Sequence, residues 1–450
     1  LAGKTQKVAV IGIGYVGATT AGILASCNYE VVALDTDRKK VDQINRGRLP
    51  FFEQGLDKLV KRAVEKGRLA AATDYEKLRD ADLVFSCVGT PDNPDGSSNL
   101  QYVFEAAAEA AKHMPDGAVF VQKSTVPVGT GGKIEKIFAD SGKKLPYVSN
   151  PEFLREGTAI TDSLWFDRVV AGSSDKRTAQ KVLDLYRSVE KCREEIAAEA
   201  GVSPASRPAG QFIITNRNSA ELIKVTANAF LVLKITFANS IAKLADRAGA
   251  DINEVMDAVG ADQRIGRAFL NAGRGYGGGC FPKDVTGLIS SATEQGVDLS
   301  IMIAAVDENE SMPGYIANKA KSVLGDFKGK KIAVLGLAFK SGTSDARRSP
   351  GVKLANLMAR DGAEVTAYDP QANEEAAADL RKSVRLCDSA EEATKGMDAV
   401  FVATDWPQFV GMDLDALRKS QRGDLFVDCM NRFDTATVEA AGFKYLGVGR

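Results

Sequence analysis

Lys7-Val-Ala-Val-Ile-Gly12-Ile-Gly14-Tyr-Val-Gly17 decides the first fold element: a short apolar, β-rich run breaks into Gly-x-Gly-x-x-Gly, and small residues near 16–27 carry a helix onward. Glu30-Val-Val-Ala-Leu-Asp35 reads as the next strand, so Asp35 ends it 18 residues after Gly17. Strand, glycine turn, helix, strand and terminal acid together make the dinucleotide-binding fingerprint. In that setting Gly12 permits the tight turn, Gly14 lets backbone approach a pyrophosphate, and Gly17 lets helix and strand pack closely. The helix N-terminus supplies N–H donors and a positive dipole end. Asp35 would accept from ribose hydroxyls and repel a 2′-phosphate, which favours NAD. Arg38 and Lys40 nearby leave NADP open.

Working outward, short apolar runs recur at 82–88 (DLVFSCV), 118–122, 146–149 and 168–172, with helical stretches between most of them. Such alternation predicts a parallel sheet with right-handed crossovers. From about 219 to 248 neither Pro nor Gly interrupts the chain; Ser219 is a candidate N-cap and Gly249 a stop. A helix of that length spans about 45 Å and is apolar on several faces, so burial is expected, with a partner chain one way to achieve it. Further helix extends to about 324. Near 329 the alternation restarts with Gly329-Lys-Lys-Ile-Ala-Val-Leu-Gly336, a helix near 350–361, a strand at 364–368 before Asp369, and strands near 398–403 and 424–428. The expected class is α/β: two Rossmann-like, doubly wound domains joined by a long central helix and a helical domain, divided as 1–212, 213–325 and 326–450.

Composition narrows the function. Of 450 residues, 44% are apolar and 26% charged, with net charge −1, so no basic field points to nucleic acid or an anionic membrane. No uninterrupted apolar run approaches the roughly 20 residues needed to cross a bilayer. Leu1-Ala2-Gly3-Lys4 runs almost directly into the first strand, so no signal peptide is expected. Cys27, Cys87, Cys192, Cys280, Cys387 and Cys429 are scattered without a CxxC pair, which favours reduced thiols in the cytoplasm. His113, the single histidine, leaves no His cluster for a metal and argues against a Ser-His-Asp triad.

The chemistry gathers in Gly273-Arg-Gly-Tyr-Gly-Gly-Gly-Cys280-Phe-Pro-Lys-Asp284. Five glycines in its first seven residues read as backbone kept bare for close approach to a ligand. A thiol with Lys283 and Asp284 beside it is a candidate nucleophile. Glu221, Lys224 and Asn228 share one face of the long helix, either as a buried polar group needing partners or as a solvated stripe. Asn150-Pro-Glu152-Phe-Leu-Arg-Glu156 follows a strand's carboxyl end, where doubly wound folds place ligands. Its two carboxylates are either base and orienter or helix N-terminal acids.

GIGYVG (12–17), CVGTP (87–91), STVPVGT (124–130), NPEFLREGTAI (150–160), SAELIKVTANAF (219–230), DQRIG (262–266), GYGGGCFPKD (275–284) and GLAFKSGTSDARRSP (336–350) together resemble the UDP-glucose/GDP-mannose dehydrogenase family along nearly the whole chain. The resemblance implies a four-electron oxidation of a sugar C6 alcohol to a carboxylate with two NAD+, through a thiohemiacetal and then a thioester on Cys280. It implies that Lys224 and Asn228 stabilise oxygen charge at C6. Asp284 and Glu156, with Thr125, would manage water and protons, and Glu152 would tune the site. The NAD contacts it implies are Gly12, Gly14, Val16, Gly17, Asp35, Lys40, Thr90, Thr125, Glu156, Lys283 and Arg347. The implied sugar-nucleotide contacts are Glu152, Phe153, Leu154, Arg155, Lys224, Asn228, Phe269, Leu270, Asn271, Ala272, Gly273, Gly277 and Lys340. Arg264 would reach the substrate of a neighbouring subunit, which implies at least a homodimer.

The Cys-Phe-Pro-Lys-Asp wording favours UDP-glucose over UDP-N-acetylmannosamine, UDP-N-acetylglucosamine or GDP-mannose. A one-hydride dehydrogenase of the 6-phosphogluconate type is the rival that would need no cysteine. Two stretches depart from the family pattern: 190–212, read as a solvated helix and loop without assigned role, and Leu164-Trp-Phe-Asp-Arg168.

Overall fold

The computed structural model describes residues 6–450, so the expectation drawn from Leu1-Ala2-Gly3-Lys4 lies outside the described residues. The chain forms two compact units, Leu1–Ala227 with Thr286–Glu294, and Asn228–Val285 with Gln295–Arg450.

The first unit holds an eight-stranded sheet. Its strands are β1 (Lys7–Ile11), β2 (Glu30–Leu34), β3 (Leu69–Ala72), β4 (Leu83–Ser86), β5 (Val119–Gln122), β6 (Tyr147–Ser149), β7 (Arg168–Gly172) and β8 (Gln211–Thr215), in the order β3-β2-β1-β4-β5-β6-β7-β8. The chain reverses its winding between β1 and β4, which puts the switch point beside the glycine turn. Along β1, Val8 and Val10 enter one core and Ala9 and Ile11 the other. That period of two is why the strand is apolar throughout: both faces are covered by helices.

All pairings in this sheet are parallel except β6 with β7, which meet antiparallel at Ser149 and Gly172, a departure from the expected all-parallel sheet. Leu69-Ala-Ala-Ala72 carries little β signal, and β8 is a part-exposed edge, so neither stood out in the sequence.

The two divergent stretches turn out to pack on each other. The helix Lys176–Ala200 runs through half of 190–212; there it buries Ile196, Ala197 and Ala200 on one face and leaves Lys191, Glu194 and Glu195 exposed on the other. After Gly201 the chain returns as β8, parallel to β7. Phe166 meets Phe212 edge to face at 5.4 Å, and Arg207 donates to the Trp165 carbonyl at 3.0 Å and to Asp162 at 2.8 Å. The link and the Leu164–Arg168 segment therefore form one packed edge of the sheet.

The second unit holds a six-stranded sheet, parallel throughout: β9 (Lys331–Leu335), β10 (Glu364–Tyr368), β11 (Arg385–Leu386), β12 (Ala399–Val402), β13 (Leu425–Asp428) and β14 (Lys444–Leu446), ordered β11-β10-β9-β12-β13-β14. Its winding reverses between β9 and β12. The helices Ile252–Gly260 and Ser300–Leu324 contribute Ile252, Met256, Met312 and Ile316 to the core of this unit.

The long helix runs Arg217–Ala248, two residues earlier than expected. Ser219 is not its cap; the Asn216 side chain accepts from the Ser219 N–H at 2.8 Å. Gly249 follows with φ +69°, as a helix stop requires. By length and composition this helix is sufficient to cross a membrane, the only such helix among the described residues, although polar residues interrupt its apolar sequence. It nonetheless buries Glu221, Lys224, Asn228, Thr236 and Asn239, polar groups that need protein partners.

Candidate active site

The N-terminal glycine turn has separate steric reasons for each glycine. Gly12 has φ +96°, and a Cβ there would lie 2.7 Å from the Cys87 carbonyl oxygen beyond β4. A Cβ on Gly17 would overlap the Gly12 carbonyl oxygen. Gly14 faces open space, the requirement for backbone that receives a pyrophosphate. It also precedes the helix Tyr15–Ser26, whose first N–H groups point outward at this end. Val16, in the first turn of that helix, is half-buried. Asp35 accepts from the Ile13 N–H at 2.8 Å and the Asp37 N–H at 2.9 Å, with Lys40 Nζ at 3.6 Å. The carboxylate is thereby aimed along the turn, with lone pairs left for ribose hydroxyls. These residues fit an NAD molecule. Thr90 is buried just beyond β4, and Thr125 is half-buried beyond β5.

Glu221 belongs to the scaffold. Its carboxylate accepts from the Gly129 and Gly131 N–H groups, each at 2.7 Å, and so caps the helix Thr130–Asp140. Burial raises its carboxyl above the usual range, with those backbone donors opposing. One turn further on, Lys224 is buried and pairs with buried Glu152 at 3.0 Å, beside the Phe153 ring. Glu152 is held by the Leu154 N–H at 2.7 Å. The solvated-stripe alternative is thus excluded for this face.

Arg155 is turned to Asp162, donating through Nε at 2.9 Å and Nη2 at 2.8 Å. Burial works to raise the Asp162 carboxyl, but Arg155, Arg207 and Thr158 outweigh it and hold it below the ordinary carboxylate range. Glu156 is buried at the end of this loop. Two positioning residues carried no sequence signal. Glu53 accepts from Gly157 N–H at 2.7 Å and Ala159 N–H at 2.8 Å, fixing the loop that carries Glu156. Lys123 donates to the Tyr186 hydroxyl at 2.7 Å, which donates to Asn150 at 2.7 Å at the start of the loop. Both depend on pairings across 104 and 36 or more residues, invisible to local pattern.

In the second unit, Asn228 donates to Asp284 Oδ2 at 2.6 Å and Lys283 donates to Asp284 Oδ1 at 2.7 Å, with Asp284 buried. Asp284 lies in the first turn of the helix Phe281–Glu294, and its N–H donates to the Cys280 carbonyl at 2.9 Å. Cys280 thus stands at the start of that helix. Of the six cysteines it alone is exposed; Cys192 is half-buried and the others are buried.

The glycine loop before it is closely packed at each of its five glycines. A Cβ would strike the Cys429 carbonyl at Gly273 (2.8 Å), Asn309 Oδ1 at Gly275 (2.5 Å), the Arg348 carbonyl at Gly277 (2.5 Å), the Phe339 ring at Gly278 (2.9 Å) and the Arg347 guanidinium at Gly279. Asn309 also bonds Tyr276 twice, accepting from its N–H at 2.8 Å and donating to its carbonyl at 3.1 Å. The loop is therefore rigid, and Cys280 inherits that rigidity. Arg347 is oriented by Asp345 through bonds of 2.9 and 2.6 Å.

Phe269 adopts φ +67°, unusual for a residue with a side chain. Leu270 and Ala272 are buried, while Asn271 is exposed and accepts from Arg267 at 2.8 Å. Lys340 lies 5.5 Å from the Phe339 ring. Arg264 joins neither cluster: its side chain is 89% exposed and pairs with Asp262 at 2.6 Å.

Residues 6–190, 218–311 and 333–435 match, in turn, the NAD binding, central and UDP binding domains of the UDP-glucose/GDP-mannose dehydrogenase family. The chain is 38% identical over 449 residues to UDP-glucose 6-dehydrogenase TuaD of Bacillus subtilis (strain 168), covering 99% of this chain and 93% of that one. It is also 38% identical over 455 residues to UDP-glucose 6-dehydrogenase of Rhizobium meliloti (strain 1021), covering 99% and 100%. Among solved structures, a UDP-glucose dehydrogenase from Pyrobaculum islandicum superposes with TM-score 0.88 at 36% identity, covering 100% of this chain and 98% of the other. A UDP-D-ManNAc dehydrogenase from Pyrococcus horikoshii gives 0.84 at 29% identity, covering 99% of each. With two Rossmann-like sheets, an NAD-fitting glycine turn and all three family domains in order, the chain belongs to the UDP-glucose/GDP-mannose dehydrogenase family.

Proposed function

We propose that this protein oxidises UDP-glucose to UDP-glucuronate by two successive two-electron steps, with Cys280 as the covalent nucleophile. The observation that carries the reading is the rigid presentation of one exposed thiol at a helix start, beside the Asn228–Asp284–Lys283 cluster. Negative charge on the sulfur meets the positive end of that helix.

NAD+, when bound at the Gly12–Gly17 turn, accepts the hydride in each oxidation. Lys224 and Asn228, one helical turn apart and both buried, bear the oxygen charge that develops at C6. The C6 alcohol loses a hydride and a proton to become an aldehyde. The Cys280 sulfur then bonds to C6, and the former carbonyl oxygen takes a proton, giving a thiohemiacetal. Loss of a second hydride and that proton leaves a thioester. Water adds to it, the C–S bond breaks, and the carboxylate and the Cys280 thiol are released. Asp284, held by Asn228 and Lys283, and Glu156, with Thr125, orient that water and take its proton. Glu152 sets the position of Lys224.

We assign the same roles as above to the remaining NAD and sugar-nucleotide contacts, and the segments 1–212, 213–325 and 326–450 to cofactor binding, dimerisation and UDP-sugar binding. The exposed Phe230, Phe237 and Leu244, seven residues apart on the long helix, support a homodimer along that stripe. The exposure of Arg264, beside Asp262, supports its serving a neighbouring subunit's substrate. Residence in the cytoplasm accords with six cysteines outside any disulfide.

The test is stoichiometry: two NADH per UDP-glucose consumed. A yield of one would favour the single-hydride rival. Cys280→Ala is expected to abolish uronate formation while retaining NAD binding; normal turnover in it would remove Cys280 from the mechanism. A panel of nucleotide sugars decides among UDP-glucose, the N-acetylated UDP-sugars and GDP-mannose, and sedimentation of the intact protein is expected to show a dimer or larger.

A further inference from the structure

Arg274, within the cysteine loop, is the largest fully buried side chain among the described residues, 1% exposed. Its guanidinium lies at the switch point of the second sheet. Nη2 donates to the Phe339 carbonyl at 2.8 Å, beyond the end of β9, and to Thr404 Oγ1 at 3.2 Å, beyond the end of β12. Nε lies 3.3 Å from Met430 Sδ, beyond β13, and the Arg274 N–H donates to the Cys429 carbonyl at 2.9 Å. Nη1 is buried without a hydrogen-bond partner.

The nearby carboxylates, Asp405 and Asp369, act on it only through space and are committed to other partners. Asp369 accepts from the N–H groups of Leu337, Ala338, Gln371 and Ala372 and from Trp406 Nε1. Asp405 is engaged by Arg432 at 2.8 Å and by Ser341 at 3.0 Å. Burial accordingly pushes the Arg274 guanidinium down to about 10. A buried cation with an unused donor is costly unless an anion completes it, and in doubly wound sheets ligands bind at the switch point.

We propose that Arg274 supplies the fixed positive charge by which the second unit recognises the diphosphate of a nucleoside diphosphate. This rests on the reading of that unit as the UDP-sugar domain and adds to it a residue outside the matched contacts.

The test is titration of the intact protein with UDP and, by NMR, with uridine, in the wild type, R274K and R274Q. R274Q keeps an amide donor for the Phe339 carbonyl and removes the charge; R274K keeps the charge. We expect R274Q to weaken UDP at least tenfold, R274K to stay within about threefold of wild type, and uridine and NAD+ affinities to hold in both. Equal weakening of UDP and uridine in R274Q, equal behaviour of the two variants towards UDP, or loss of folding in R274Q with R274K folded would assign Arg274 to structure alone and overturn the proposal. Failure of the wild type to bind UDP would instead overturn the UDP-sugar reading.

Discussion

The two α/β halves open on the same device and spend it differently. In each, the first strand ends in a positive-φ glycine, Gly12 (φ +96°) or Gly336 (φ +108°), whose N–H donates to the last residue of the neighbouring strand, Leu34 or Tyr368. In each, a second glycine, Gly17 or Gly351, packs its bare Cα on the first glycine's carbonyl oxygen. The second strand of each then gives way to an aspartate, Asp35 or Asp369, that reaches back to the turn. The difference lies in what remains. Asp35 holds two backbone N–H groups and stays partly open; Asp369 holds four, plus an indole, and is sealed. Gly14 opens to space, whereas the second turn is backed by Arg274. On the proposed reading, one scaffold would serve a dinucleotide through an accessible acid, while the other closes its acid and keeps a buried cation at the turn. Repeated folds share architecture; the unpaired groups at the strand ends set the ligand.

The comparison breaks most visibly at the close-packed glycines. Gly17→Ala and Gly351→Ala each drive a methyl into a carbonyl oxygen and are expected to cost about 3 kcal/mol or more, read by chemical denaturation. Gly14→Ala, with nothing nearby, is expected to leave stability within about 0.5 kcal/mol and weaken NAD binding instead. Similar stability losses at all three positions would dissolve the distinction between packing and ligand glycines.

Next in size are the two acids. Asp369→Asn turns a saturated acceptor into a part donor among backbone N–H groups, with an expected loss of about 3 kcal/mol and unchanged NAD affinity. Asp35→Asn is expected to weaken NAD about tenfold, about 1.4 kcal/mol, with little change in melting temperature. A large stability loss at Asp35 would show that it too is structural.

The smallest effect is in pH response. Asp162, in the first unit, titrates below the usual carboxylate value, so its stabilisation is present above the unfolded value and is lost as pH falls through the folded one. Asp428, in the second, is raised by burial against the N–H groups of Phe433 and Met430, so its contribution is present below the unfolded value and fades as pH rises through the folded one. Denaturation curves from pH 3 to 7 are expected to show Asp162→Asn costing least at the acid end and Asp428→Asn costing most there. The same slope for both would contradict the opposite shifts.

Much of the fold was legible because both sheets are buried on two faces, so their strands are short apolar runs bounded by turns. The strands that escaped, β3, β8, β11 and β14, are the edge strands of the two sheets and owe their existence to pairing with β2, β7, β10 and β13. The chemical residues were legible as motifs, but their partners were not. Lys224 meeting Glu152, Asn228 meeting Asp284 and Glu53 holding the loop before Ala159 each join positions far apart in the chain.

By itself the sequence determined the two α/β halves, the dinucleotide turn and the candidacy of Cys280, because glycine spacing and apolar periodicity are local constraints on backbone and burial. Tertiary structure alone decided which partners the buried polar groups on the long helix meet. It also decided that the loop glycines accommodate Cys429, Asn309, Arg348, Phe339 and Arg347, and that the two divergent stretches are one packed edge. The physical reason is that burial and hydrogen-bond saturation depend on what arrives from elsewhere in the chain, which no local pattern records.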